Sequence, residues 1–380
     1  MKIGVITYWQ SYDNYGQILQ AWALQQYLID LGHEAFIIRY DFDNRPYPTL
    51  LWKKILRIIL FPLYYQRVVA RKKNRESFIR FNKERQFDEF RESELYFSKK
   101  IYSKRSQLCN DYPIADCYIV GSDQVWARLV NYKENLVFFL KFGPKSIKRI
   151  SYAASFGFDS YPKELENDLR NALKDFDAIS CREYSGVSIC NSININATKV
   201  LDPTLLFDYR KYLDLYKGYT NNFGSYIFIY SLNVSSPEDI GWKQLKKVAN
   251  EKGLKIIVVT ATGYINANEE LFKDVIYIKA SIKEWLSLIA NAELIVTPSF
   301  HGIVFSIIFK KNFIFTPVVG KYSKGNDRIT DLLSDLNLSK RIFKENNIEN
   351  IFLDSINWPI VDKCLLKQKI QSESFLKENL

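Results

Sequence analysis

Two histidines occur in the 380-residue chain, and one of them, His301, stands in Thr297-Pro298-Ser299-Phe300-His301-Gly302, between an apolar strand and the start of a helical run. An imidazole at a strand end beside a helix N-terminus is placed to move protons near neutral pH. The other, His33, follows Gly32 at the start of a strand and reads as structural. Cations occupy comparable positions. Arg182 ends the strand Ala178–Arg182, and Lys321, Lys324 and Arg328 surround Gly325-Asn326-Asp327. A fork of donors there can hold a carboxylate or phosphate, with a surface ion pair as the alternative. The loop Ser11-Tyr12-Asp13-Asn14-Tyr15-Gly16-Gln17 opens a helix, where free N–H groups favour an anion or a hydroxyl-rich ligand. Its single Gly argues against a dinucleotide site, and its Asp and Asn would also serve as an ordinary cap. In Gly121-Ser122-Asp123-Gln124-Val125-Trp126, Asp123 and Gln124 can hydrogen-bond sugar hydroxyls and Trp126 offers a stacking face. The other reading makes this a turn with Trp126 in the core. Asp202-Pro203-Thr204 is either a turn or part of a cleft.

These loops need strands to carry them. Strands are expected at Lys2–Tyr8, Glu34–Tyr40, Asp116–Gly121, Arg149–Ser155, Ala178–Arg182 and Lys199–Asp202, with helices at Gln17–Leu31 and Pro162–Phe176. The alternation then restarts with strands at Tyr226–Leu232, Lys255–Thr262, Val275–Lys279, Glu293–Pro298 and Asn312–Pro317. Helices at Pro237–Lys252, Ile282–Asn291, from Gly302, and near Asp327–Leu336 fall between and after them. This is α/β: two Rossmann-like domains facing across a cleft, 1–210 and 224–337, with the polar segment Asp208–Gly224 as linker and 338–380 as an extension able to return to the first domain. Ligands of such sheets sit beyond the carboxyl ends of the strands.

Composition narrows the class. Hydrophobic residues make up 47% and charged residues 25%, which suits a globular chain and excludes a disordered or fibrous one. The net charge of +11 suggests nucleic acid until it is mapped. Leu50–Arg85 holds eleven Lys and Arg against two Glu, which leaves the rest nearly neutral. Within it, a helix up to Pro62 would group Trp52, Ile55, Leu56, Ile59 and Leu60 on one face, with Lys53, Lys54 and Arg57 elsewhere. That pattern fits an anionic membrane surface better than nucleic acid, with Trp52, Lys53, Lys54 and Arg57 as the contacts. An ordinary surface helix followed by a charged helix, Gln66–Arg91, is the alternative. The five Cys show no metal-finger spacing and read as buried free thiols of a reducing compartment. No signal peptide and no spanning segment are expected.

In order and spacing, Asp13-Asn14-Tyr15-Gly16, Gly121-Ser122-Asp123-Gln124-Val125-Trp126, Ala154-Ser155-Phe156-Gly157, Ser180-Cys181-Arg182-Glu183, Leu201-Asp202-Pro203-Thr204, Ser299-Phe300-His301-Gly302 and Lys324-Gly325-Asn326-Asp327-Arg328 resemble the polysaccharide pyruvyl transferase family. The resemblance implies a glycosyltransferase-B-like fold. It also implies transfer of a pyruvyl group from phosphoenolpyruvate to a sugar, commonly as a ketal across two hydroxyls of a cell-surface glycan or its lipid-linked precursor. His301 matches the family's acid/base. Many members carry Arg where this chain has Ser299, so Arg182, Lys324 and Arg328, with Ser299, are left to hold phosphoenolpyruvate. Asp13, Asn14, Tyr15, Gln17, Ser122, Asp123 and Gln124 would bind the acceptor. Phosphoenolpyruvate is then a co-substrate, no resident cofactor or obligatory metal is implied, and the expected location is the inner face of the cytoplasmic membrane. Two rivals stand beside this reading. One is a sugar-nucleotide glycosyltransferase of the same fold, with Glu269 and Glu270 as its only ribose-binding carboxylates. The other is a non-catalytic glycan-binding or membrane-scaffold protein.

Overall fold

In the computed structural model, which describes residues 1–10, 14–41, 83–219, 222–261, 271–345 and 347–380, two parallel sheets form. The first has the order β3-β2-β1-β4-β5-β6-β7, from strands β1 (Lys2–Ile6), β2 (Glu34–Tyr40), β3 (Phe97–Tyr102), β4 (Cys117–Val120), β5 (Lys148–Ala154), β6 (Ala178–Cys181) and β7 (Thr198–Lys199). The second has the order β10-β9-β8-β11-β12, from β8 (Tyr226–Ser231), β9 (Lys255–Thr260), β10 (Ile276–Tyr277), β11 (Leu294–Thr297) and β12 (Phe313–Phe315). The central strands are almost wholly apolar because helices cover both sheet faces. In each sheet the strand order reverses beside the first strand, between β1 and β4 and between β8 and β11. Ile3 pairs with Cys117 and Leu294 with Ile227. The loops leaving β4 and β11, which carry Ser122-Asp123 and Ser299-Phe300-His301, therefore lie at the two switch points, where α/β sheets bind ligands.

Several elements differ from the pattern in the sequence. Strand β3 is not legible there, because it is an edge strand with only Ser98 and Tyr102 buried and Lys99 and Lys100 facing out. Charged residues on an open edge also discourage edge-to-edge pairing. The expected strand Lys199–Asp202 ends after Lys199, since Asp202 turns to cap Pro203–Leu206. The expected helix Pro237–Lys252 divides at Gly241, which takes φ +65° between Pro237–Ile240 and Trp242–Lys252. Of the helix expected at Pro162–Phe176, only Glu166–Leu173 is α-helical, after a tight turn at Lys163–Leu165.

The polar linker at Asp208–Gly224 contains a helix, Tyr209–Tyr216. Its Tyr212 is fully buried between Trp22 of the first domain and Phe305 of the second, with ring centroids at 5.5 and 4.9 Å. The C-terminal helix Trp358–Asn379 crosses back to the first sheet. Phe375 and Leu376 pack with Ile3 and Val5, and the Leu201 amide donates to Ser372 Oγ at 2.9 Å. The part of the basic segment with Trp52, Lys53, Lys54 and Arg57 lies outside the described residues, as does most of Gln66–Arg91; of the latter, 83–91 is described, with the helix Phe87–Glu94 starting inside it and Arg85 buried. Among the described residues no helix is long and apolar enough to cross a membrane. Cys117, Cys181 and Cys190 are buried thiols, whereas Cys109 is exposed and Cys364 half-buried.

Trp126 is a core residue, not a stacking face for sugar. It is fully buried, its Nε1 donates to the Phe138 carbonyl at 2.9 Å, and its ring stacks on Phe139. Trp126→Ala is expected to destabilise the protein by about 3–5 kcal/mol, read as a lower urea midpoint.

Candidate functional site

The loops at the switch points meet in one buried polar cluster. Ser299 caps the helix Phe300–Ile308, its Oγ accepting from the Gly302 amide at 3.4 Å. Gly302 lets this helix start close against its own strand, because a Cβ there would lie 2.7 Å from Thr297 Cγ2. The second residue of the helix, His301, thereby points out of the second domain toward the first. There it meets Asp202, whose Oδ2 lies 3.6 Å from His301 Nε2.

Asp202 is fully buried. Its Oδ1 accepts from the Thr204 amide at 3.1 Å and the Thr204 hydroxyl at 2.6 Å. Its Oδ2 accepts from Ser122 Oγ at 2.7 Å and Arg182 Nη1 at 3.1 Å. Burial opposes this charge, but His301, Arg182 and the Thr204 hydrogen bond outweigh it and hold the carboxyl far below the usual carboxylate range.

Arg182 follows β6 and presents each guanidinium nitrogen to a different carboxylate. Nη1 meets Asp202, Nε lies 3.6 Å from Glu183 Oε2, and Nη2 lies 4.0 Å from Asp123 Oδ1. Burial works against the Arg182 charge, and Glu183, Asp202 and Asp123 raise its pKa above the ordinary arginine value in spite of it. The face of the guanidinium lies 4.4 Å from the Phe300 ring centroid. The Arg328 guanidinium sits 5.7 Å from the same ring, and burial followed by repulsion from Arg182 brings its pKa down to about 10. Asn326 fixes the loop before Arg328 by pairing both its amide atoms with Val318.

Several of these buried polar atoms have no hydrogen-bond partner: Arg182 Nε and Nη2, Arg328 Nε, Asp123 Oδ2, both Glu183 oxygens and His301 Nε2. Buried polar atoms are rarely left in this state outside functional sites. Asp123 also takes φ +77°, a strained conformation for a residue with a side chain. The cavity bounded by Arg182, Asp202, Phe300, Arg328 and Asp331 measures about 10 Å³, room for roughly one water.

The cluster contains His301, Arg182, Arg328, Ser299, Ser122 and Asp123. Other residues named from the sequence sit elsewhere. Asn14 is the cap of the helix Tyr15–Asp30, accepting from the Gly16 and Gln17 amides at 3.0 and 3.3 Å. Tyr15 is not at an acceptor surface. It is fully buried between the lobes, stacked on Trp285 at 5.1 Å, with its hydroxyl donating to the Ala280 carbonyl at 2.5 Å. Gln17 is half-buried on the same helix, and Gln124 packs against Gly157. Asp13, Glu269 and Glu270 lie outside the described residues, as do the side chains of Lys321 and Lys324. The positive pocket expected from the sequence is instead a mixed cluster, two guanidiniums and an imidazole among three carboxylates. Glu183 and Phe300 are its unforeseen members. Asp-Pro-Thr marked Asp202 as a cap or a cleft residue, and nothing in the sequence distinguished the two.

The family model for polysaccharide pyruvyl transferases matches residues 14–317, which contain every member of this cluster except Arg328. The chain belongs to the polysaccharide pyruvyl transferase family. No curated protein matches it significantly in sequence. Among solved structures, this pyruvyl transferase family member is similar to the Methanocaldococcus jannaschii UDP-GlcNAc 2-epimerase in complex with UDP-GlcNAc and UDP. The identity is 14%, the TM-score 0.51, and the match covers 97% of this chain and 94% of the epimerase. It is also similar to the S. aureus MnaA–UDP complex, at 12% identity and TM-score 0.50, over 98% of this chain and 89% of the other. At such identities the likeness establishes a shared glycosyltransferase-B-type fold.

The depressed Asp202 carboxyl makes stability acid-sensitive. Its contribution is complete above the unfolded carboxyl pKa, about 4, and fades as pH falls below that value toward the folded one. Asp202→Asn is expected to lower the urea midpoint at pH 7 and to flatten the decline of that midpoint between about pH 4 and pH 2, because the variant has no proton to take up there.

Proposed function

We propose that the protein transfers the pyruvyl group of phosphoenolpyruvate to a pair of hydroxyls on a sugar of a cell-surface glycan or its lipid-linked precursor, forming a cyclic ketal and releasing phosphate. The observation that carries this reading is the chemistry of the unpartnered atoms in the interlobe cluster. Arg182 Nε and Nη2 and Arg328 Nε are donors suited to a carboxylate or phosphate. Asp123 Oδ2 and the Glu183 oxygens are acceptors suited to hydroxyls. His301 lies among them as the group able to exchange a proton. A small phosphorylated acid and a diol together would satisfy the set. Ser299, at the N-terminus of the helix Phe300–Ile308, would add to the donor side, as would Lys324, whose side chain lies outside the described residues.

In the proposed reaction, protonated His301 delivers a proton to the methylene carbon of phosphoenolpyruvate, and positive charge develops at C2. A sugar hydroxyl adds to C2, and His301 recovers the proton that this hydroxyl loses. The C2–O bond to phosphate then breaks. The second hydroxyl closes the ring, and its proton leaves with the phosphate. One proton gained at carbon and one on phosphate balance the two lost from the hydroxyls. The reaction as written is redox-neutral and calls for no resident cofactor. Asp123, Glu183 and Ser122 would hold the acceptor within the cluster, and Gln124, Asp13, Asn14 and Gln17, outside it, would border the parts of the acceptor that extend beyond. Trp52, Lys53, Lys54 and Arg57 would hold the enzyme against an anionic membrane surface at the cytoplasmic face, where a lipid-linked acceptor resides.

Incubation with phosphoenolpyruvate and a panel of free and lipid-linked galactosides is expected to release phosphate and add one pyruvyl ketal to an acceptor, read by mass spectrometry. His301→Ala is expected to lower kcat by about 10²–10⁴-fold with the fold intact. Release of nucleotide from a sugar nucleotide, with no turnover of phosphoenolpyruvate, would point to glycosyl transfer instead. No turnover of either donor would favour a binding role.

A further inference from the structure

The carboxylate nearest His301 does not come from the same domain. His301 belongs to the second domain, on the helix Phe300–Ile308, while Asp202 belongs to the first, at the turn Pro203–Leu206. Four hydrogen bonds fix Asp202, from Ser122, Arg182 and both donors of Thr204. His301 Nε2, by contrast, has no hydrogen-bond partner and faces Asp202 Oδ2 across 3.6 Å, a small shift from bonding distance. The opposite edge of the ring is also bounded by the first domain. Gly16 approaches so closely that a Cβ there would lie 2.1 Å from Nδ1 and 2.3 Å from Cγ. The ring is thus held between a rigid carboxylate and the first turn of the helix Tyr15–Asp30. The other charged groups of the cluster are Arg182, Asp123, Glu183 and Arg328. Asp123 and Glu183 face Arg182 rather than the imidazole.

We propose that Asp202 is the orienting acceptor of His301, so that the proton-exchanging group is assembled from two domains. This rests on the reading of His301 as the acid/base. In this role Asp202 contacts no substrate. It is a positioning residue that fixes the ring plane and keeps a proton on Nε2, which leaves Nδ1 as the atom that exchanges a proton. Four fixed hydrogen bonds make the carboxylate a preorganised partner, with no reorientation required when the ring gains charge.

The chain has only two histidines, which makes the inference directly measurable. His33→Gln leaves one imidazole in the ¹⁵N spectrum of the full-length protein. With the ring neutral, at alkaline pH, His301 is expected to show protonated Nε2 and unprotonated Nδ1. Asp202→Asn is expected to give a mixture of tautomers. It should also lower kcat by about 10²-fold or more while KM for phosphoenolpyruvate changes less than about threefold. An Nδ1-protonated ring in the otherwise unaltered protein, or His301 ¹⁵N shifts that are the same in Asp202→Asn as without it, would overturn the proposal. Unchanged shifts in an enzyme that turns over phosphoenolpyruvate remove the pair alone. Failure of turnover with the shifts as expected removes the pyruvyl-transfer reading and leaves the pair standing.

Discussion

Burying three carboxylates and two guanidiniums at a domain boundary costs more than it returns unless each charge is compensated, and this constraint organises the protein. Arg182 meets it by turning its three nitrogens toward Asp202, Glu183 and Asp123. Asp202 meets it by accepting four hydrogen bonds. The compensation is incomplete, and the atoms left over are donors on the arginines and acceptors on Asp123 and Glu183. A purely structural ion cluster would have little reason to keep such atoms unpaired. A site that exchanges them for the groups of a ligand does.

The rest of the architecture delivers these groups to one place. Each sheet reverses its strand order beside its first strand, and the loops at the two reversals face each other. Aromatic packing then fixes the distance between the lobes. Tyr15 stacks on Trp285, and Tyr212 fills the space between Trp22 and Phe305. The C-terminal helix, anchored by Phe375 and Leu376 on the first sheet, ties the second domain back to the first. The cavity beside Arg182 that the described residues enclose measures about 10 Å³.

Much of this was legible before the fold. Apolar strands alternating with amphipathic helices announced two parallel α/β domains, and β1, β2, β6 and β8 fall within two residues of where periodicity puts them. The strand ends carrying Arg182 and His301 were legible for the same reason, since a polar group just after an apolar run ends at the sheet's carboxyl edge. Strand β3 was not, because an edge strand has no continuous apolar run. Trp126 was left open between core and surface, and Tyr15 was misjudged, for one shared cause. An aromatic beside polar loop residues reads the same in sequence whether it faces solvent or the opposing lobe.

The sequence by itself determined the family, the fold class and the residue types able to exchange protons and hold anions, because these follow from local pattern and motif order. Tertiary structure alone decided their pairing. Asp202 and His301 are 99 positions apart on different domains, and whether a carboxylate neutralises an arginine, orients an imidazole or faces water depends on a few ångströms set by packing between lobes. Net charge in the cleft was decided in the same way. Counting basic residues suggested a positive pocket, and only the folded arrangement brought Asp123, Glu183 and Asp202 inward to surround Arg182, since burial of that guanidinium requires them.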